Sequence, residues 1–140
     1  MTTMQGKCLC GAVTVTATPD SKDVCACHCA TCRRWGGGPF VDLNVGNNVE
    51  FSGDGAIRVY GSSAWAERGF CQRCGTHLFY RLRDGSMTAV PVGLFDDDDG
   101  LVLNKEVFVD EQPAYYRFAN DTHRLTGPEL MALFGADDSA

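Results

Sequence analysis

The chain has 140 residues, 44% of them hydrophobic, which is enough for one domain with a real core and argues against wholesale disorder. Twelve Lys and Arg stand against 18 Asp and Glu, for a formal charge of −6. That acidic balance excludes the basic face expected of a nucleic-acid binder and argues against docking on an anionic membrane.

At the start, Met1-Thr2-Thr3-Met4-Gln5-Gly6-Lys7 is polar and runs directly into Cys8. No apolar stretch of an export signal is visible, and no run of ~18 apolar residues would span a membrane. We therefore expect a cytoplasmic protein whose thiols stay reduced. Eight cysteines in such a setting read as metal ligands before they read as disulfides.

The first pair is Cys8-Leu9-Cys10-Gly11. In an extended segment, residues i and i+2 share a face, which would set the two sulfurs side by side. The alternative is a pair of ordinary buried thiols. Next, Ala12-Val13-Thr14-Val15-Thr16 alternates with period two and predicts a strand.

The second group is Cys25-Ala26-Cys27-His28-Cys29-Ala30-Thr31-Cys32. Cys27, Cys29 and Cys32 combine a same-face pair with the two-residue spacing of a metal knuckle. Three thiolates on one zinc would leave a fourth position for water or substrate, as catalytic zinc sites do. Cys25 reads as a small buried hydrophobe, the alternative being a fourth ligand that closes the site. His28 reads as a hydrogen-bonded or exposed residue pointing away from the metal, the alternative being a ligand. A short helical turn is expected over residues 30–34.

Residues 39–45, 57–60, 64–70, 77–81 and 87–92 are short β-rich runs. Gly53-Asp54-Gly55, Gly61-Ser62-Ser63 and Asp84-Gly85 punctuate them. Many short strands with close turn signals suggest a sandwich or folded-over sheets. Between the third and fourth runs lies the third cysteine group, Cys71-Gln72-Arg73-Cys74-Gly75. Its spacing brings two sulfurs to one ion, and the glycine permits the tight turn. Joined with Cys8 and Cys10, it would complete a closed four-thiolate site.

The run Asp96-Asp97-Asp98-Asp99 lacks the glycine and the closing glutamate of an EF-hand and reads as a solvated loop. Gly127-Pro128-Glu129-Leu130-Met131-Ala132-Leu133-Phe134-Gly135 predicts one C-terminal helix, with Pro near its start and a stop glycine. No internal repeat, linker or heptad stands out, so oligomeric state is not legible.

The stretches Gly6-Lys7-Cys8-Leu9-Cys10-Gly11-Ala12-Val13, Cys27-His28-Cys29-Ala30-Thr31-Cys32-Arg33-Arg34-Trp35, Gly69-Phe70-Cys71-Gln72-Arg73-Cys74-Gly75-Thr76 and Val107-Phe108-Val109-Asp110 resemble one family. It is that of the glutathione-dependent formaldehyde-activating enzymes, which includes the centromere protein V domain. The resemblance implies an all-β, Mss4-like fold of zinc-clamped sheets with one short C-terminal helix, forming a single domain over residues 1–140 with its core at about 6–125. It implies one structural zinc on Cys8, Cys10, Cys71 and Cys74 and a second, active-site zinc on Cys27, Cys29 and Cys32.

The implied activity is that of a carbon–sulfur lyase, adding the glutathione thiol to formaldehyde. The thiol sulfur would take the open zinc position as a thiolate. Arg33 and Arg34 would pair with the glutathione carboxylates or merely balance the thiolates, and Trp35 with Gly36-Gly37-Gly38 would wall the pocket or make a simple turn. A similar thiol or another small aldehyde would satisfy the same chemistry. A non-catalytic thiol-binding module and a zinc-stabilised scaffold remain as alternatives.

Overall fold

The computed structural model describes residues 2–133. Among them, short strands dominate, with two short helices, as the sequence predicts for an all-β fold. The chain groups into two compact units, residues 1–22 with 42–101 and residues 23–41 with 102–140.

The first unit contains a three-stranded antiparallel sheet. Its strands are β1 (Met4–Lys7), β2 (Thr14–Ala17) and β5 (Val49–Ser52), with β2 in the middle. Val13, Val15 and Ala17 are buried while Thr14 and Thr16 face out, which is the period-two pattern of a half-buried strand. Gly6 cannot be anything larger. A Cβ there would collide with the Leu94 carbonyl, where the chain crosses β1 to bridge Gly6 with Phe95.

A second antiparallel ladder follows in the same unit. Its order is β4 (Phe40–Asn44, which enters this unit at Asp42), β9 (Thr88–Pro91), β8 (His77–Leu82), β7 (Ala66–Cys71) and β6 (Ile57–Tyr60). Phe51 of β5 meets Phe79 of β8 at 5.1 Å between ring centres, so the two sheets share one apolar layer. Leu43, Leu78, Val90, Leu94 and Phe95 are buried with them.

The second unit is built on parallel pairing. β10 (Val102–Val107) lies between β3 (Asp23–Cys27) and β11 (His123–Leu125), with Val107 opposite both Cys27 and Leu125. Helix α1 (Ala30–Gly36) follows β3 and ends on Gly37, whose left-handed φ of 85° lets its N–H reach the Arg33 carbonyl at 2.7 Å. The C-terminal helix α2 (Gly127–Leu133) opens with a reciprocal cap. Thr126 Oγ1 accepts from the Glu129 N–H at 3.2 Å, and Glu129 Oε1 accepts from the Thr126 N–H at 2.8 Å. The expected Phe134 and Gly135 end of this helix lies outside the described residues.

Two local expectations are corrected. Cys8 and Cys10 do not lie on an extended strand, because the chain turns there and the Gly11 N–H bonds the Cys8 carbonyl at 3.0 Å. The predicted strand over residues 12–16 starts later, at Thr14, for the same reason.

Candidate metal centres

The first centre is assembled by two turns. β1 delivers Cys8, and the Cys8 N–H closes the turn on the Val13 carbonyl at 3.0 Å. β7 delivers Cys71, and the Gly75 N–H closes the second turn on the Cys71 carbonyl at 2.8 Å. Gly75 holds a φ of 79°, a conformation that costs glycine little. The sulfurs of Cys8, Cys10, Cys71 and Cys74 then lie within 4.8 Å of one another.

Cys8 and Cys10 Sγ are 3.7 Å apart, and Cys10 and Cys71 Sγ 3.8 Å. A tetrahedron with metal–sulfur bonds of ~2.3 Å has edges of ~3.8 Å, so the donor set fits a four-coordinate ion such as zinc. Cys8 and Cys71 are buried while Cys10 is exposed.

Backbone and hydroxyl donors aim at these sulfurs. Cys8 Sγ accepts from the Val13 N–H at 3.3 Å. Thr76 Oγ1 lies 3.1 Å from Cys74 Sγ and accepts from the Leu9 N–H at 3.1 Å, so one threonine ties both turns together. Hydrogen bonding from the Thr76 side chain and backbone holds the Cys74 thiol down at about 5, where it ionises readily. Thr76 escaped the sequence reading, although its place one residue after the knuckle glycine was visible.

The second centre uses only six consecutive residues. β3 ends on Cys27. Cys29 caps α1, its Sγ accepting from the Cys32 N–H at 3.3 Å, and Cys32 is buried in the first turn. The three sulfurs lie within 4.8 Å of one another. The thiols of Cys29 and Cys32 push the Cys27 thiol far above its ordinary value, with burial adding to the effect. Three thiolates this close therefore need a cation among them before all can ionise. Cys25, half-buried on β3, is not among the residues grouped here, so the set holds three thiols.

His28 is fully buried between two of these cysteines, and both ring nitrogens are engaged. Nε2 lies 2.7 Å from Glu106 Oε1, and Nδ1 lies 2.7 Å from the Tyr116 hydroxyl. The ligand alternative for His28 is thereby excluded. The ring also packs on Tyr116 and Phe118, with centroids 5.4 and 5.8 Å away.

Glu106 is 1% exposed, yet burial does not neutralise it. Burial pushes the carboxyl up. Hydrogen bonds from Thr122 and His28 and the Arg124 charge outweigh that and hold it below its ordinary value. Thr122 Oγ1 donates to Oε2 at 2.5 Å and Arg124 Nη1 to Oε1 at 2.7 Å. A carboxylate only accepts, so in the neutral imidazole Nε2 is the donor and the Tyr116 hydroxyl donates to Nδ1.

Arg33 Nε donates to the His28 carbonyl at 2.9 Å, while Arg34 is exposed. Trp35 is half-buried and packs on Phe40 at 5.6 Å. None of Glu106, Tyr116, Thr122 or Arg124 was singled out from the sequence.

The profile of the family described as glutathione-dependent formaldehyde-activating enzyme matches residues 3–111. A Schizosaccharomyces pombe protein named as an uncharacterized lyase is 33% identical over 128 residues, covering 91% of this chain and 93% of that protein. A Rhodobacter sphaeroides crystal structure superposes with a TM-score of 0.59 at 24% identity, over 66% of this chain and 88% of that one, and so shows a shared fold. With both thiol groups inside the matched region, the chain belongs to the family of glutathione-dependent formaldehyde-activating enzymes.

Proposed function

We propose that this protein is a zinc-dependent carbon–sulfur lyase-type enzyme that joins glutathione, or a similar small thiol, to formaldehyde or another small aldehyde. Family membership and the lyase relative support an enzyme of lyase type. The observation that carries the finer reading is the inequality of the two centres: one offers four thiols and the other three. Four close a tetrahedral ion; three leave one position for a reactant. Zinc held by Cys27, Cys29 and Cys32 would supply a Lewis acid and lower the pKa of a thiol or water that completes its shell.

The remaining work falls to the chain. The thiol adds across the carbonyl, so one carbon–sulfur bond forms and the thiol proton ends on the former carbonyl oxygen. His28 takes no part as a ligand, which keeps the donor count at three. Arg34 is exposed two residues after Cys32 and offers a cation to a glutathione carboxylate. The four-thiol centre does no chemistry in this reading and closes its unit.

None of the eight cysteines is joined to another in a disulfide. No helix of the described residues is long and apolar enough to cross a membrane. We place the protein in the cytoplasm, where glutathione is abundant and thiols stay reduced.

The test is magnetic-resonance exchange between formaldehyde, glutathione and their adduct, with and without zinc-loaded protein. Acceleration is expected. An unchanged exchange rate, with glutathione binding seen by calorimetry, would replace the enzyme by a thiol carrier. Two tightly held zinc ions per chain are expected by elemental analysis.

A further inference from the structure

One short segment reaches the six-residue ligand loop at both gaps between its thiols. Glu106, near the end of β10, bonds His28, which separates Cys27 from Cys29. Glu111, closing the turn Val109–Glu111, accepts from the Ala30 N–H at 2.8 Å. Ala30 lies between Cys29 and Cys32. Midway, the Val107 carbonyl accepts from the His28 N–H at 3.1 Å.

The segment bends sharply to do this. Phe108 sits at φ 56°, the one non-glycine residue at positive φ among the described residues. Its ring lies where a Cβ on Gly127 would fall, and neighbouring Asp110 accepts from the Gly127 N–H at 2.8 Å. A strained residue persists only where its surroundings hold it.

The loop itself has little to fix its shape. Helix α1 has seven residues, too few to be stable alone. Its opening N–H groups are bonded by Glu111, by Cys29 Sγ and by the Cys29 carbonyl. Cys29 is thus both a prospective ligand and a cap, and its sulfur direction depends on where α1 begins. Glu111 sets that start. Glu106 sets the peptide on the other side of Cys29 through a buried imidazole that cannot turn without breaking two hydrogen bonds.

We propose that Glu106 and Glu111 are positioning residues for the three-thiol centre, setting the directions of the Cys27, Cys29 and Cys32 sulfurs before a metal arrives. The inference rests on the reading that these three thiols hold a metal ion. Neither carboxylate needs to touch metal or substrate. Each acts through the loop, as groups that orient metal ligands do, and losing one should weaken binding by about 10- to 100-fold.

The test is graded removal of zinc from the loaded full-length protein with a colorimetric chelator, which reads two release steps. Glu111 is exposed, so its variants should fold. In Glu111→Ala the weaker ion should leave at about 10- to 100-fold lower chelator strength, with the tighter ion unmoved. Glu111→Gln keeps an acceptor and should restore wild-type release. Glu106→Gln should also loosen the weaker ion alone; if it fails to fold, the Glu111 pair decides by itself.

Cobalt(II) loaded into the vacated site should show altered d–d bands in Glu111→Ala and normal ones in Glu111→Gln. Unchanged release in Glu111→Ala, equal loosening of both ions, or Glu111→Gln behaving like Glu111→Ala would overturn the proposal. A wild-type protein that releases one ion only would instead overturn the reading beneath it.

Discussion

The two thiol centres are held in different ways. Around Cys8, Cys10, Cys71 and Cys74 the support is local and neutral: two turns, backbone N–H groups and the Thr76 hydroxyl. Around Cys27, Cys29 and Cys32 it is remote and charged, since His28 meets Glu106 from 78 residues away and Glu106 in turn meets Arg124. A closed site needs little beyond its own four donors, because the metal completes the geometry. An open site lacks one of those donors, and its ligands have to be directed by the protein around them.

On the proposed function, breaking the four-thiol centre should have the largest effect. Structural zinc contributes on the order of 10–16 kcal/mol of apparent binding free energy that is available only to the folded chain. Cys71→Ser should therefore abolish soluble expression, and strong chelation should unfold the wild type, both followed by circular dichroism. A folded Cys71→Ser protein with two bound ions would erase the contrast.

On the proposed function, breaking the three-thiol centre should separate activity from fold. Cys29→Ser should lose at least about a hundredfold in catalysed adduct exchange, comparable to losing one transition-state contact, while its melting temperature stays close to wild type. Equal loss of stability in Cys29→Ser and Cys71→Ser would make both centres structural.

The charged support predicts a pH signature. The folded carboxyl of Glu106 titrates below its ordinary 4.5, so its stabilising effect is complete above that value. It is lost as pH falls through the depressed folded value. The stability difference between wild type and Glu106→Gln, from urea melts, should be flat above about pH 5 and shrink below about pH 4. A difference that grows towards acid would reverse the sign of the argument.

The smallest effect belongs to the neutral support. Thr76→Val removes one hydroxyl from Cys74 and from the Leu9 N–H, a cost of about 1–2 kcal/mol. The Cys74 thiol should rise from about 5 towards its ordinary value, read by the pH dependence of alkylation after partial chelation. No change in either quantity would remove Thr76 from the centre.

How much of this was legible varies with sequence distance. The Cys71-Gln72-Arg73-Cys74-Gly75 knuckle is a local turn, and its spacing alone implies two convergent sulfurs. β6 to β9 carry enough branched and aromatic residues to be read as strands. β1, β3, β5, β10 and β11 were missed. Met4-Gln5-Gly6-Lys7 reads as a polar leader, and Asn104-Lys105-Glu106 looks like a surface stretch. Cys8 and Cys10 were brought together for the wrong local reason, since a turn closed by the Gly11 N–H does what an extended strand was expected to do.

Cysteine spacing was enough to name the donors and to say which thiols can converge, because one or two intervening residues leave the backbone few ways to turn. Tertiary structure alone decided which polar groups serve those thiols. Glu106 is charged and buried only because His28, Thr122 and Arg124 arrive around it, and no neighbouring residue announces that. Burial of a charge is a property of its partners in space, and those partners lie up to 78 residues away along the chain.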